Sequence, residues 1–300
     1  MKERIGFEVA GEKLVGDLYL PSGPGPHPAV VVAGPMTSVK EQVTGVYARA
    51  LAERGFAALA FDHRYFGESG GAPRQYERAS DKIADLRAAL EWLGTQPAID
   101  AERLGLVGVC LGAGYAAWAS VDNPRVKALG GVAGYYRNVS ELRAKDPAGF
   151  QAKVEQGIRA RERHESQGEV LTIPAVALAG DAAMTLAETY DYYGTARAGV
   201  PNYVNALAVM SREHFLPFDV QQAAPLLAAP LLMVHSDKAL SPAWARQFHE
   251  QVKSPKRLEW VTSQGQVDFY DHPHLVSQAC DLLTQHLRTW LVREGTPRAA

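Results

Sequence analysis

One cysteine stands in a spacing that suits a nucleophile. Cys110 lies between two glycines in the stretch Gly108-Val109-Cys110-Leu111-Gly112. This matches the pattern G-x-S-x-G of a nucleophile on a sharp strand-to-helix turn, with cysteine in place of serine. The glycines are required because side chains two residues away would collide with the neighbouring strand and helix. The spacing therefore predicts attack of a cysteine sulfur on a carbonyl carbon.

A helix that starts directly after Cys110 would influence the chemistry of the thiol. The partial positive charge of a helix N-terminus lowers the pKa of a cysteine, so we expect a thiolate at this position. The Leu111 N–H is the expected donor to an oxyanion on the substrate. The alternative is that Cys110 is a small buried apolar residue in a glycine-rich turn.

Alternating strands and helices must position this turn. Apolar, β-branched runs indicate buried strands at 27–34, 57–64, 104–109, 126–134, 229–236 and 257–262. Stretches with helical periodicity separate most of these runs. Strands that alternate with helices predict an α/β fold with a doubly wound, mostly parallel sheet.

A segment from 135 to 229 interrupts this alternation with charged helix-like residues and several tyrosines. It predicts a mostly helical cap inserted into a core made of residues 1–134 and 230–300. Tyr136 and Tyr193 are candidates for the substrate pocket, because tyrosine combines an apolar face with a hydroxyl. The alternative is that the tyrosines only pack the cap onto the core.

Charge and composition limit the partners that we expect. The chain has 31 basic and 33 acidic residues, a formal net charge of −2, and 47% hydrophobic residues. No basic run suggests nucleic acid, and no apolar run approaches the roughly 18 residues of a membrane span. The N-terminal segment alternates polar and apolar residues, unlike a signal peptide, so a cytoplasmic location is expected. A small-molecule substrate is the expected partner, and a homodimer is compatible with this sequence.

Cysteine and histidine spacing predicts neither a disulfide framework nor a bound metal. The two cysteines, Cys110 and Cys280, are too few for such a framework, and Cys280 has the helical spacing of a core residue. The histidines are scattered, and no H-E-x-x-H or C-x-x-C spacing occurs. A nucleotide-binding glycine pattern with a suitable acidic residue is also absent, so no cofactor is expected.

Further blocks in the same order resemble the α/β-hydrolase superfamily over nearly the whole chain. Within that superfamily, the chain resembles the dienelactone-hydrolase-like group with a cysteine nucleophile. Besides the Cys110 turn, the blocks are 39–42, 60–64, 67–71, 73–74 and 267–271. The resemblance implies a chain order of nucleophile, acid and histidine, although a fold alone does not define a function.

The resemblance places the acid after a late strand, where Asp237 is the candidate. A turn-forming role is the alternative for Asp237, and Ala239 occupies a more usual position of the acid. Similar proteins carry histidine directly before the 267–271 block, where this chain has Gln266. Glutamine does not titrate near neutral pH, so it can orient a group but cannot accept its proton.

Three histidines are candidates for a surrogate base. His272 and His274 follow the 267–271 block, and His235 ends a predicted strand. The start of the terminal helix is the alternative location for His272 and His274, and a packed structural position is the alternative for His235.

The resemblance implies that the loop after the strand at 27–34 supplies the second oxyanion donor. Many similar proteins have a His-Gly pair followed by a donor residue, whereas this chain has Ala33-Gly34 followed by Pro35. Proline has no N–H, so we expect the Met36 N–H to substitute. Pro35 itself is expected in the substrate pocket.

Three functions are compatible with these residues. The first is a hydrolase in which Cys110 attacks an ester, thioester or lactone of a small organic substrate. The second is a non-hydrolytic enzyme of the same fold, catalysing acyl transfer, cyclisation, elimination or decarboxylation in a biosynthetic pathway. Gln266 at the position of the histidine, together with Ala33 and Pro35 in the loop of the second oxyanion donor, motivates it. The third is a catalytically silent protein that binds a small molecule.

Overall fold

An eight-stranded sheet forms the centre of the molecule in the computed structural model, which describes residues 1–292. The strands in chain order are β1 (Lys2–Val9), β2 (Glu12–Tyr19), β3 (His27–Ala33), β4 (Ala57–Phe61), β5 (Ile99–Val109), β6 (Val126–Val132), β7 (Thr172–Ile173), β8 (Leu207–Ala208), β9 (Leu231–His235) and β10 (Lys256–Trp260). The order in the main sheet is β1-β2-β4-β3-β5-β6-β9-β10, and β7 pairs with β8 separately. In the main sheet the β1–β2 and β2–β4 pairs are antiparallel and the other pairs are parallel, and the separate β7–β8 pair is antiparallel.

Helices cover both faces of this sheet. In chain order they are α1 (Val43–Ala52), α2 (Ala79–Gly94), α3 (Leu111–Ser120), α4 (Val139–Lys145), α5 (Pro147–Gln167), α6 (Ala187–Tyr193), α7 (Ser211–Phe215), α8 (Pro242–Gln251), α9 (Asp268–Asp271) and α10 (Pro273–Leu291). Helix α1 packs beside α10, and α2 packs beside α3. The predicted α/β fold with a mostly parallel sheet is confirmed.

Local sequence explains how the central elements form. Strand β3 reads HPAVVVA and is buried along nearly its whole length, as expected for a parallel strand covered on both faces. Helix α10 buries a stripe at helical spacing that includes Leu275, Ala279, Leu283 and Leu287. Cys280 belongs to this stripe and is fully buried, which confirms its predicted place in the core.

The segment between β6 and β9 adds no strand to the main sheet among the residues that the structure describes. It contains α4, α5, α6, α7 and the short β7–β8 pair, and we call residues 135–229 the cap. Apolar cap residues such as Tyr192 and Val220 join the same hydrophobic core as the sheet. Within residues 1–292, no helix has the length and apolar character that crossing a membrane requires.

Candidate active site

The turn at Cys110 has the sharp geometry that its spacing predicts. Cys110 follows β5 and precedes α3, with φ 56° and ψ −127°. A Cβ atom on Gly112 would lie 2.3 Å from the carbonyl oxygen of Ala33, and one on Gly108 would lie 2.4 Å from the backbone of Ala113. Both glycines are therefore required by close backbone contacts on opposite sides of the cysteine.

The Cys110 thiol is 8% exposed and lies among polar groups of three residues. The Tyr270 hydroxyl, the Leu111 N–H and the side chain of Gln266 lie near the sulfur, and each lowers the thiol pKa. Burial has a larger effect in the opposite direction, so the pKa of Cys110 is raised above its ordinary value. Desolvation therefore opposes the lowering of the thiol pKa that is expected from the helix N-terminus.

Gln266 is fully buried, and both ends of its amide have partners. Its Oε1 accepts a hydrogen bond of 2.9 Å from Leu240 N–H, and its Nε2 donates one of 2.8 Å to the carbonyl of Ala133. The same nitrogen lies 3.5 Å from the Tyr270 hydroxyl oxygen. Gln266 therefore fixes its neighbours but has no group that titrates near neutral pH.

Glu188 connects the cap to the loop that carries Gln266. It lies in the first turn of α6, and its Oε2 accepts hydrogen bonds from the backbone N–H groups of Gln266 at 2.8 Å and Val267 at 3.3 Å. Its negative charge also contributes to the raised pKa of the Cys110 thiol. A carboxylate of the cap thus holds the loop beside the nucleophile.

Sequence patterns indicated neither Glu188 nor Tyr270 as a site residue. Tyr270 stands in the 267–271 block, four residues after Gln266 at a helical turn. This spacing was the available signal, because residues four apart share one face of a helix. No comparable signal pointed to Glu188, whose contact with Gln266 depends on how the cap folds back.

The loop after β3 places Met36 beside the thiol in the wall of a cavity. Among residues 1–292, the Met36 N–H donates no hydrogen bond to the backbone. The next residue, Thr37, has φ 61° and donates its N–H to the buried carboxylate of Glu77 at 3.2 Å. Pro35 also lines the cavity, as expected. The Met36 and Leu111 N–H groups remain the predicted pair of oxyanion donors.

Asp237 lies away from the nucleophile. Its side chain is 71% exposed and forms an ion pair of 3.0 Å with Arg246. The group that bonds to Gln266 on this loop is instead the backbone N–H of Leu240. The expectation that Asp237 is the acid of a triad is therefore not supported, because its carboxylate turns to solvent.

The three candidate histidines do not hydrogen-bond to the thiol. His235 is fully buried, with its ring nitrogens 3.1 Å from Ser236 O and 3.2 Å from Gly134 O. His272 and His274 are exposed at the start of α10. The expected surrogate bases therefore occupy structural or surface positions. In the part of the chain that the structure describes, no three His, Cys, Asp or Glu side chains gather as a metal site.

A cavity of about 430 Å³ opens beside Cys110, between the sheet and the cap. Its wall is mainly apolar, with side chains that include Leu142, Phe150, Met184, Leu186, Phe215 and Leu216. Arg137 adds a buried guanidinium, which donates to the carbonyls of Phe215 at 2.5 Å and Leu216 at 3.1 Å. A cavity of this kind suits a small, largely apolar organic group.

The two tyrosines expected in the substrate pocket do not line this cavity. Tyr136 is buried against Phe248, with ring centroids 4.4 Å apart, while its neighbour Tyr135 reaches the cavity wall. Tyr193 is buried in a cluster with Tyr192 and other aromatic rings. The expectation is wrong for both residues, because their rings are buried where the cap packs onto the core.

Comparison with known proteins places the chain among related sequences. The profile described as the Dienelactone hydrolase family matches residues 14–159. The chain is 33% identical over 264 residues to the uncharacterized protein YcjY of Escherichia coli K12, covering 85% of this chain and 86% of YcjY. It is also 33% identical over 280 residues to PA2218 of Pseudomonas aeruginosa, covering 87% of this chain and 73% of that protein.

Solved structures have the same fold. The crystal structure of PA2218 superposes with a TM-score of 0.85 and 29% identity, covering 97% of this chain and 94% of the other. The α/β-hydrolase GrgF of Penicillium superposes with a TM-score of 0.84 and 22% identity, covering 98% and 100%. The curated sequence of GrgF, named a polyketide transferase, is 23% identical over 266 residues, or 87% of this chain and 88% of GrgF.

Proposed function

The chain belongs to the dienelactone hydrolase family of α/β-hydrolases, and from this premise we propose that it is a cysteine-dependent acyl transferase. In this proposal Cys110 takes an acyl group from a small thioester and passes it to a second bound nucleophile. Hydrolysis of the acyl-enzyme is a slow side reaction. The expected hydrolase and its non-hydrolytic alternative share the first step, the attack of Cys110 on a carbonyl carbon.

The observation that carries the proposal is the environment of the thiol. The polar groups that lower its pKa are Tyr270, Gln266 and a backbone N–H, and none of them is a base near neutral pH. Water is a weak nucleophile that needs a base to remove its proton. A cysteine is intrinsically nucleophilic and can attack without one. Loss of the histidine therefore impairs attack by water on the acyl-enzyme more than it impairs acylation.

Acylation from a thioester needs no net proton loss. Cys110 sulfur forms a bond to the carbonyl carbon, the bond from that carbon to the leaving sulfur breaks, and the leaving sulfur receives the proton that Cys110 gives up. The Leu111 and Met36 N–H groups are the proposed donors to the oxyanion of the tetrahedral intermediate. Exchange of one thioester for another is nearly balanced in energy, so the acyl-enzyme can pass its acyl group onward.

The shape of the cavity and one relative support this substrate class. An apolar cavity of about 430 Å³ beside Cys110 suits the acyl part of a small thioester. GrgF, which is similar along most of the chain, is named a polyketide transferase. The size and the apolar wall of the cavity indicate a small, largely apolar acyl group.

The test uses short acyl N-acetylcysteamine thioesters, with intact mass recorded over time. We expect one acyl group on the wild-type protein, none on Cys110→Ala, and an unchanged adduct on the matched variant Cys280→Ala. The adduct should decay slowly in buffer, and faster when a small thiol or hydroxylamine is added as acceptor. Decay by water alone at a typical enzyme rate of about 10 per second would instead identify a hydrolase.

The absence of an adduct would favour the third function, a silent binding protein. In that case, saturable binding of the thioester to wild type and to Cys110→Ala with equal affinity would confirm the binding role. The proposed transferase would then be wrong, since transfer requires the covalent intermediate.

A further inference from the structure

The turn that follows β3 carries backbone strain. Residues 35–38 form this turn, in which the N–H and the hydroxyl of Ser38 donate to the carbonyl of Pro35 at 3.3 and 2.9 Å. Thr37, the third residue of the turn, has φ 61°. Glycine or asparagine is usual at a turn position with positive φ, and a β-branched residue rarely adopts this conformation. Surrounding contacts must therefore hold Thr37 in place.

Met36, which precedes Thr37, lies in the wall of the cavity. It lines the cavity together with Cys110 and Leu111 and is only 6% exposed. No backbone carbonyl among the described residues 1–292 accepts a hydrogen bond from its N–H. Buried backbone N–H groups are nearly always paired, so one without a backbone partner beside a nucleophile is suited to bind an oxyanion.

A buried carboxylate holds the strained residue. Glu77 lies in the loop before α2 and is fully buried. Its Oε2 accepts a hydrogen bond of 3.2 Å from the Thr37 N–H. A hydrogen bond from a backbone N–H to a carboxylate is stronger than one to a neutral acceptor. Glu77 thereby favours the conformation of Thr37 in which the preceding N–H has no backbone partner.

The same carboxylate reaches the helix that follows the nucleophile. Its Oε1 accepts a hydrogen bond of 2.5 Å from the buried hydroxyl of Tyr115. Tyr115 lies in α3, four residues after Leu111 and therefore about one turn further along the same face. The Leu111 N–H is the other predicted oxyanion donor. One carboxylate thus joins the two elements that carry the two donors.

Further buried contacts fix Glu77 itself. The ammonium of the buried Lys82 lies 2.9 Å from Oε1, so the buried negative charge has a partner. The same ammonium lies over the rings of Phe66 and Tyr115, at 4.7 and 5.4 Å from their centroids. The Glu77 N–H donates to the hydroxyl of Ser211 in the cap at 2.9 Å. These contacts with α2, α3 and the cap restrict the carboxylate to one orientation.

We propose that Glu77 is a positioning residue that holds the Met36 and Leu111 N–H groups at the spacing that an oxyanion requires. Glu77 lies outside the cavity wall, so it acts through these two donors and does not touch the substrate. When the Cys110 sulfur bonds to the carbonyl carbon, one electron pair of the carbonyl double bond moves to the oxygen, and both N–H groups donate to that oxygen. Donors that are already in place need no reorganisation during the reaction. The proposal rests on the proposed transferase function and adds the residue that prepares its oxyanion site.

The test replaces the carboxylate by an amide of similar shape, in Glu77→Gln. Lys82 should attract the amide oxygen, which leaves the amide nitrogen facing the Thr37 N–H, where it accepts no hydrogen bond. Single-turnover acylation by an N-acetylcysteamine thioester is followed by quenched-flow mass analysis. We expect acylation to slow by about 10–10³-fold, the upper value being the loss of one oxyanion donor.

Asp85→Asn is the matched control. Asp85 is also a fully buried carboxylate, but its hydrogen bonds go to His63 and Arg64 and not to the turn at 35–38. Because both oxyanion donors stay in place, this variant should acylate within about threefold of wild type. The free energy of unfolding of both variants is measured in urea. An equal loss of acylation rate in the two variants would overturn the proposal, since any buried charge would then have the same effect.

Alkylation of Cys110 by iodoacetamide separates the placement of the donors from a general effect on the thiol. This reaction forms no oxyanion, so Glu77→Gln should be alkylated within about threefold of the wild-type rate. Equal losses in alkylation and acylation would contradict the positioning role. Acylation of Glu77→Gln at the wild-type rate would contradict it as well.

A milder variant covers the case in which Glu77→Gln does not fold. Tyr115→Phe removes only the hydroxyl that joins Glu77 to α3, and it should slow acylation at least about fivefold without slowing alkylation. Acylation of Tyr115→Phe at the wild-type rate would exclude the link between the two donors. If wild type forms no acyl-enzyme, the transferase function itself is wrong. If wild type is acylated and the variants are equally fast, only the role of Glu77 is wrong.

Discussion

Placing an imidazole at position 266 should accelerate hydrolysis of the acyl-enzyme strongly only when a second residue is changed as well. In Gln266→His, the Leu240 N–H that now donates to Oε1 at 2.9 Å would donate to the imidazole Nδ1. That contact would hold the ring proton on Nε2, the nitrogen that faces away from Leu240. A protonated Nε2 cannot accept a proton from water, so the base would be in the wrong tautomer.

The tautomer sets the magnitude that we expect. A correctly placed general base contributes about 10²–10⁴-fold, which corresponds to about 3–5 kcal/mol of activation free energy. In the serine protease triad, the wrong tautomer loses about 10⁴-fold. We therefore expect Gln266→His alone to accelerate decay of the acyl-enzyme by less than about tenfold. Adding Ala239→Asp, whose carboxylate can accept from Nδ1–H, should raise this to at least about a hundredfold.

The assay follows the loss of the acyl group from Cys110 by intact mass after a pulse of thioester and rapid gel filtration. Gln264→His is the matched control, since Gln264 is an exposed glutamine in the same loop. The rate of the double variant should rise with pH through about 6.5, the usual pKa of histidine, whereas the wild-type rate should not. A single variant as fast as the double one would refute the tautomer reasoning. If neither variant accelerates decay, the missing base is not the cause of slow hydrolysis.

Three further predictions concern the thiols, the surface carboxylate and a buried histidine. Iodoacetamide should label Cys110 faster than Cys280, whose pKa burial raises to about 12, and Cys110 labelling should rise only at alkaline pH, without an inflection near 6.5. Asp237→Asn should acylate within about twofold of wild type, because this carboxylate is exposed on the surface; a loss of about 10²-fold or more would reinstate it as a catalytic acid. Burial lowers the pKa of His286 from 6.5 to about 4. As the pH falls, the unfolded chain therefore binds a proton at this histidine before the folded chain does. The free energy of unfolding present above pH 6.5 should fall by about 3 kcal/mol as the pH drops to 4. His286→Gln should lessen this loss in urea titrations at the two pH values, and an unchanged difference would exclude His286 as its source.

Much of the fold follows from local patterns in the chain. Continuous β-branched runs such as 27–34 are expected to form strands buried on both faces, and they do. Their alternation with helices predicts the parallel order of the central strands. The helical spacing around Cys280 correctly placed that residue in the core. These features depend on neighbours within one element or one turn, which is why the sequence determines them.

The site was only partly predictable, because some of its contacts join residues that are far apart in the chain. The turn at Cys110 follows from two glycines within two residues of it, and the lack of an imidazole follows from the identity of Gln266. The orientation of Asp237 depends on how its loop leaves the sheet, and a loop that turns to solvent has the same sequence as one that turns inward. The sequence pattern therefore predicted Asp237 as the acid, whereas the exposed ion pair with Arg246 shows that its carboxylate faces solvent.

The sequence by itself determined the α/β architecture, the sharp turn that presents Cys110, and the absence of a titrating side chain at position 266. The tertiary structure decided that burial raises the pKa of the thiol, that Tyr270 lies near it, and that Glu188 of the cap holds the neighbouring loop. The first group arises from short-range sterics and periodicity. The second depends on desolvation and on contacts between residues far apart in the chain, which exist only after the cap and the last helices pack around the sheet.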